Sequence, residues 1–236
     1  MINRKKIKRL VLFLLFTCFF SAFAGYASDR KQLGEKVCLP PIWPSAVSDL
    51  ALDTDVQQGE LANGFRYVLK HNEEPKNRVA VYLYIKTGSL NEAENQRGLA
   101  HYLEHIMFKG TDNYPAGSLI DYFQSIGMTF GGDANAHTTF DQTVYNLILP
   151  NGSEKELNDG FAVMADYARR AKLQDDQINL ERGVILAEKR ARDSASYRTQ
   201  VASMEFAFRG TRLAERMVIG VESVINQADH AALKTF

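Results

Sequence analysis

The stretch Gly98-Leu99-Ala100-His101-Tyr102-Leu103-Glu104-His105-Ile106-Met107-Phe108-Lys109-Gly110-Thr111 has apolar residues at helical spacing and closes on a glycine, which predicts a helix over about 97–108. The segments on either side set the fold class. Upstream, 59–70 has Asn63-Gly64 between two short apolar stretches, the signature of a hairpin, and the β-branched and aromatic run 78–86 predicts a further strand. Downstream, the pattern predicts a helix over 116–126 ending at Gly127, then two strands within 128–149 around a Gly131-Gly132 turn. Long helices follow over 154–170 and from 175 to about 198, with shorter helical pieces towards the end. Strands in adjacent runs with helices grouped after them favour an α+β fold with a mixed, largely antiparallel sheet over a repeating βαβ array.

The central helix also carries chemistry. Positions i and i+4 of a helix share a face, so the imidazoles of His101 and His105 can reach one ion, with Glu104 projecting beside them. The pattern His-x-x-Glu-His is the zinc-binding helix of metallopeptidases with its acid displaced from the commoner His-Glu-x-x-His order. Such chemistry needs two neutral nitrogen ligands, a further anionic ligand, and a carboxylate near the open position of the metal to take a proton from water. The best source of the further ligand is the helical stretch 179–188, where Glu181 and Glu188 stand two turns apart on one face. Spacing alone does not choose between them, and an isolated pair of this kind is more often a solvated face. His71 and His230 have no constellation around them, and His137 is a weaker candidate.

Composition bounds the remaining possibilities. The 236 residues are 45% hydrophobic and 24% charged, ordinary globular values that exclude collagen-like, disulfide-stapled and wholly disordered classes. The 28 basic residues balance 28 acidic ones, which gives no electrostatic case for nucleic acid. That balance is uneven, because Arg4, Lys5, Lys6, Lys8 and Arg9 precede the apolar run from Leu10 to Phe23 and the small-residue patterns ending at Ala24 and Ala27. This is the order of a secretory signal peptide, and the expected organisation is a signal over 1–27, an extended segment over 28–57 and a domain over 58–236. The apolar run of about 14 residues falls short of the roughly 20 that span a bilayer, so an exported, periplasmic or secreted protein without a stable membrane span is expected. Cys38, the one cysteine left after the signal, cannot form an internal disulfide.

Several motifs together resemble the pitrilysin, or insulin-degrading-enzyme, family of zinc peptidases. They are Leu61-Ala62-Asn63-Gly64 with Tyr67, Thr87-Gly88-Ser89 with Glu92, the 98–111 stretch, and Gly132, Asn135-Ala136, Thr138, Asp141, Thr143 and Tyr145. The similarity continues through Glu181-Arg182 to Glu188, then Arg212-Leu213-Ala214-Glu215-Arg216 and Ile219-Gly220. The resemblance implies helices on one side of the sheet and one Zn2+ held by His101, His105 and Glu188, with Glu104 as general base. It makes Glu181 an accessory carboxylate and places Asn135 and Ala136 on the edge strand that binds substrate as an added strand. The implied activity is endopeptidase cleavage of peptides or unfolded polypeptides by a metal-activated water. Members of that family carry a second homologous domain, or a partner subunit, that completes the substrate site. The resemblance also implies that 58–236 ends before the last strand of its domain. The competing class is a non-catalytic or half-site subunit that binds peptides or a partner chain.

Overall fold

The structure is a computed structural model that describes residues 43–236, so the expected signal, Cys38 and the Pro40-Pro41 pair lie outside the described residues. The chain falls into two compact units that divide between His71 and Asn72. In the first, β1 (Val56–Glu60) pairs antiparallel with β2 (Arg66–Lys70), with Gly59 opposite Tyr67. Asn63-Gly64 forms the reversal as expected, and Gly64 takes φ +83°, a conformation that suits glycine because it has no Cβ. Arg66 pairs with Glu60 and lies 5.2 Å from the Trp43 ring centroid.

The second unit contains β3 (Val79–Ile85), α1 (Leu99–Met107), α2 (Ser118–Ser125), β4 (Ala134–Thr138), β5 (Thr143–Leu149), α3 (Glu154–Arg169), α4 (Asp175–Arg192), α5 (Ala195–Ala207), α6 (Glu222–Gln227) and α7 (His230–Thr235). Its sheet is antiparallel in the order β3-β5-β4, with Tyr145 of β5 flanked by Leu83 and Ala136. The period-2 alternation of the strands sends Leu83, Tyr145, Leu147, Leu149 and Ala134 to one face. There they pack with Met107 and Phe108 at the end of α1, Phe123 of α2, and Val163 and Tyr167 of α3. Tyr82 and Tyr84 stay exposed on the opposite face. The α+β organisation and the placement of helices against one sheet face are as expected.

Two local expectations are corrected. The reversal between β4 and β5 is not Gly131-Gly132 but residues 139–142, closed by the Thr139 N–H donating to the Gln142 carbonyl at 2.8 Å. Gly131-Gly132 instead folds Phe130 back beside Ala134 ahead of β4. The single helix expected from 175 to about 198 is two helices. Ser194 interrupts it, its hydroxyl accepting from the Tyr197 N–H at 3.1 Å as the cap of α5.

Helix α1 lies between two cores. Leu99, Tyr102 and Ile106, spaced i, i+3, i+7, pack with Ile178 and Ile185 of α4, Ile225 of α6 and Leu233 of α7. Complete burial of a Leu or Ile side chain contributes about 1.5–3 kcal/mol, so this seam firmly fixes α1 against α4. The Tyr102 hydroxyl donates to the Ile178 carbonyl at 2.5 Å and adds a polar tie across it. At its N-terminus, Gly98 (φ +108°) meets Gly220 (φ +71°) backbone to backbone. A Cβ on Gly220 would collide with the Gly98 Cα and lie 2.7 Å from the Arg97 carbonyl oxygen. Gly220→Ala is therefore expected to cost about 2–4 kcal/mol in urea unfolding, combining overpacking with a disfavoured φ.

Candidate metal centre

With two faces of α1 committed to packing, the third carries His101, Glu104 and His105, and all three are drawn into the interior or its margin. His101 and Glu104 are buried, at 6% and 8% exposure, and His105 is partly buried. Along α4, Ile178, Glu181, Ile185 and Glu188 follow one another at intervals of three and four residues, a single stripe that faces α1. Acids begin this helix (Asp175, Asp176) and bases end it (Lys189, Arg190, Arg192), in accord with its dipole.

The two glutamates of that stripe do different things. Glu188 Oε2 lies 3.6 Å from His101 Nε2 and 3.4 Å from His105 Nε2, while the two Nε2 atoms are 3.2 Å apart. Zinc bonds of about 2.0–2.2 Å in a tetrahedron separate ligand atoms by roughly 3.3–3.6 Å, so these three atoms fit one zinc ion. His101, His105 and Glu188 are also the one such group of metal-ligating side chains among the described residues. The second Glu188 oxygen pairs with Arg192.

Glu181 Oε1 is instead 2.8 Å from His105 Nδ1, on the far side of the ring, and its other oxygen accepts from Lys109 Nζ at 2.9 Å. With the Nδ1 proton directed to Glu181, the Nε2 lone pair of His105 points to the shared centre. The two glutamates that spacing left open thus stand differently, Glu188 beside the inner nitrogens of both histidines and Glu181 against the outer nitrogen of His105.

Protonation follows from these contacts. Burial, then the neighbouring His105, presses His101 down to about 4, which leaves it neutral at ordinary pH. Burial also pushes His105 down, but the Glu181 bond and the surrounding carboxylates outweigh it, and the net shift is upward. For Glu181 burial raises the pKa, yet the bonds to His105 and Lys109 prevail and hold the group below its usual range. Burial raises Glu104, opposed by a hydrogen bond from Thr138 Oγ1 to Oε2 at 2.5 Å. A raised carboxylate pKa suits a general base, because it strengthens the acceptor.

Thr138 and Lys109 have no role in the sequence reading. Both partners are reached through the fold, Thr138 from the end of β4 and Lys109 from the loop after α1. Asn135 and Ala136 lie on β4, at the edge of the sheet. Asn135 is exposed, and its Oδ1 accepts from the Ala136 N–H at 2.8 Å. His137 is exposed and outside the three-residue cluster.

Residues 67–218 match the family profile described as Insulinase (Peptidase family M16). The chain is 37% identical over 187 residues to the probable zinc protease PqqL of Escherichia coli, covering 79% of this chain and 20% of that protein. It is 34% identical over 178 residues to the zinc protease PQQL-like of Arabidopsis thaliana, covering 75% of this chain and 19% of that one. The crystal structure of the periplasmic protease PqqL from Escherichia coli superposes with a TM-score of 0.77 at 37% identity, over 79% of this chain and 21% of that one. The chain spans about a fifth of the length of these relatives.

Proposed function

This chain belongs to the insulinase family, peptidase family M16, and from that membership we propose that it is the metal-bearing part of a zinc-dependent endopeptidase acting on peptides or unfolded polypeptides. The observation that carries the reading is the convergence of His101, His105 and Glu188 at mutual distances of 3.2–3.6 Å beside the buried Glu104. His101, His105 and Glu188 would hold one Zn2+ per chain, which would supply Lewis-acid polarisation of a peptide carbonyl and a water of pKa lowered to about 7. His101 and His105 offer neutral nitrogens and Glu188 offers charge. Glu181 holds the His105 ring in place. Glu104 takes a proton from water on one carboxylate oxygen while Thr138 occupies the other, and later returns it to the leaving amine.

Strand β4 has β5 on one side only. An extended substrate would add to its open edge through main-chain hydrogen bonds, and at Ala136 it would take over the N–H now held by the Asn135 side chain. A second homologous domain or a partner chain would supply the rest of the substrate site. Export, to the periplasm or beyond, fits the basic and apolar order of residues 1–27, and PqqL of Escherichia coli is described as periplasmic. Among the described residues no helix is long and apolar enough to cross a membrane.

The test is cleavage of an unfolded polypeptide that a chelator abolishes and added zinc restores. Zinc-loaded protein that cleaves only after a second chain is added would favour the half-site reading. A protein that binds no zinc would overturn both.

A further inference from the structure

Glu92 is completely buried, eight residues before Ala100 in the first turn of the helix that carries His101 and His105. The first N–H groups of any helix lack partners inside it, and the usual remedy is a side chain at the N-cap. Here the N-cap is Gly98, which has none. The Oε1 atom of Glu92 supplies the acceptor, taking the Ala100 N–H at 2.9 Å. Ala100 directly precedes His101, a ligand that sits in the first turn, where helices fray. The Glu92 main chain is held as well, because its carbonyl accepts from Arg216 Nε at 3.1 Å and from Arg212 Nη2. Arg216 is itself buried and also binds Glu94, and its own carbonyl accepts from Ser89 Oγ at 2.7 Å. The cap is thus anchored at both ends, to the helix through its carboxylate and to the 212–216 segment through its backbone.

We propose that Glu92 is a positioning residue of the metal centre: its buried carboxylate caps α1 from outside the helix and holds His101 in register with His105 and Glu188. The inference rests on the zinc reading of that centre. Capping alone would support the fold. A cap one residue from a ligand also sets where that ligand's nitrogen stands.

The experiment is zinc titration of the purified protein, wild type against Glu92→Ala, Glu92→Gln and the control Asp166→Asn, each shown to be folded by circular dichroism. Asp166 is equally buried but binds Thr111, Asn113 and Arg170, away from Glu92. Folded Glu92→Ala is expected to bind zinc roughly 10- to 100-fold more weakly, the range for residues that orient a ligand. Glu92→Gln, which keeps an acceptor for the Ala100 amide, is expected within about 3-fold of wild type, and so is Asp166→Asn despite lower stability. Wild-type affinity in Glu92→Ala, or an equal loss in Asp166→Asn, would overturn the inference. If Glu92→Ala does not fold, hydrogen exchange decides: the Ala100 amide must exchange slowly in wild type and in Glu92→Gln, and fast exchange in the folded wild type overturns the cap. Absence of zinc binding by the wild type is a separate result that removes the metal reading itself, and the inference with it.

Discussion

Glu104→Gln is expected to lower peptide hydrolysis by roughly 100- to 10,000-fold while zinc content stays at the wild-type level. The substitution keeps the shape of the side chain, and the Gln carbonyl can still accept from Thr138 Oγ1. What it loses is the ability to take a proton. Glu104 lies outside the group formed by His101, His105 and Glu188, so the proposed donor set is unchanged. Stability should not fall either, because burial already disfavours the charged carboxylate and the neutral amide escapes that cost. Turnover of an unfolded polypeptide and metal analysis on the same preparation would check both halves of the expectation. Wild-type turnover in zinc-loaded Glu104→Gln would mean that another group accepts the proton, and the mechanism proposed for this helix would fail.

The second large effect is on the metal itself. His101→Ala and Glu188→Gln are each expected to weaken zinc binding by more than about 100-fold, beyond the roughly 10- to 100-fold expected of Glu181→Gln. The difference follows from geometry, since Glu188 faces the inner nitrogens of both histidines and Glu181 the outer nitrogen of one. Thermal unfolding offers an independent reading. Zinc at about 100 times its dissociation constant should add about 2.7 kcal/mol to wild-type stability, and the two ligand variants should lose that gain at the same zinc concentration. Equal losses in Glu181→Gln and Glu188→Gln would erase the distinction between ligand and support.

The helix bearing His101, Glu104 and His105 was legible because its signals are local. Periodicity set its extent, and the i, i+4 rule put both imidazoles on one face. The hairpin at Asn63-Gly64 and the strand at Val79–Ile85 were legible for the same reason, their turn chemistry and alternation being properties of neighbours in the chain. The β4–β5 reversal is not legible in the same way, because two glycines look like a stronger turn than Thr139-Phe140-Asp141-Gln142. Its closure comes from backbone hydrogen bonding and register. The break before α5 is hidden in the sequence because a Ser cap has the same residue type as an ordinary exposed serine.

By itself, then, the sequence determined the α+β class, the histidine pair with its neighbouring carboxylate, and a second helix with two glutamates on one face. Only the tertiary structure decided which glutamate faces the inner nitrogens, that Thr138 holds Glu104, and that Glu92 caps α1. The reason is physical. Spacing along a helix fixes the angle of each side chain about that helix's own axis. The height and rotation of one helix against another are set by packing, here by the Leu99, Tyr102 and Ile106 seam on Ile178 and Ile185 together with the Gly98–Gly220 contact.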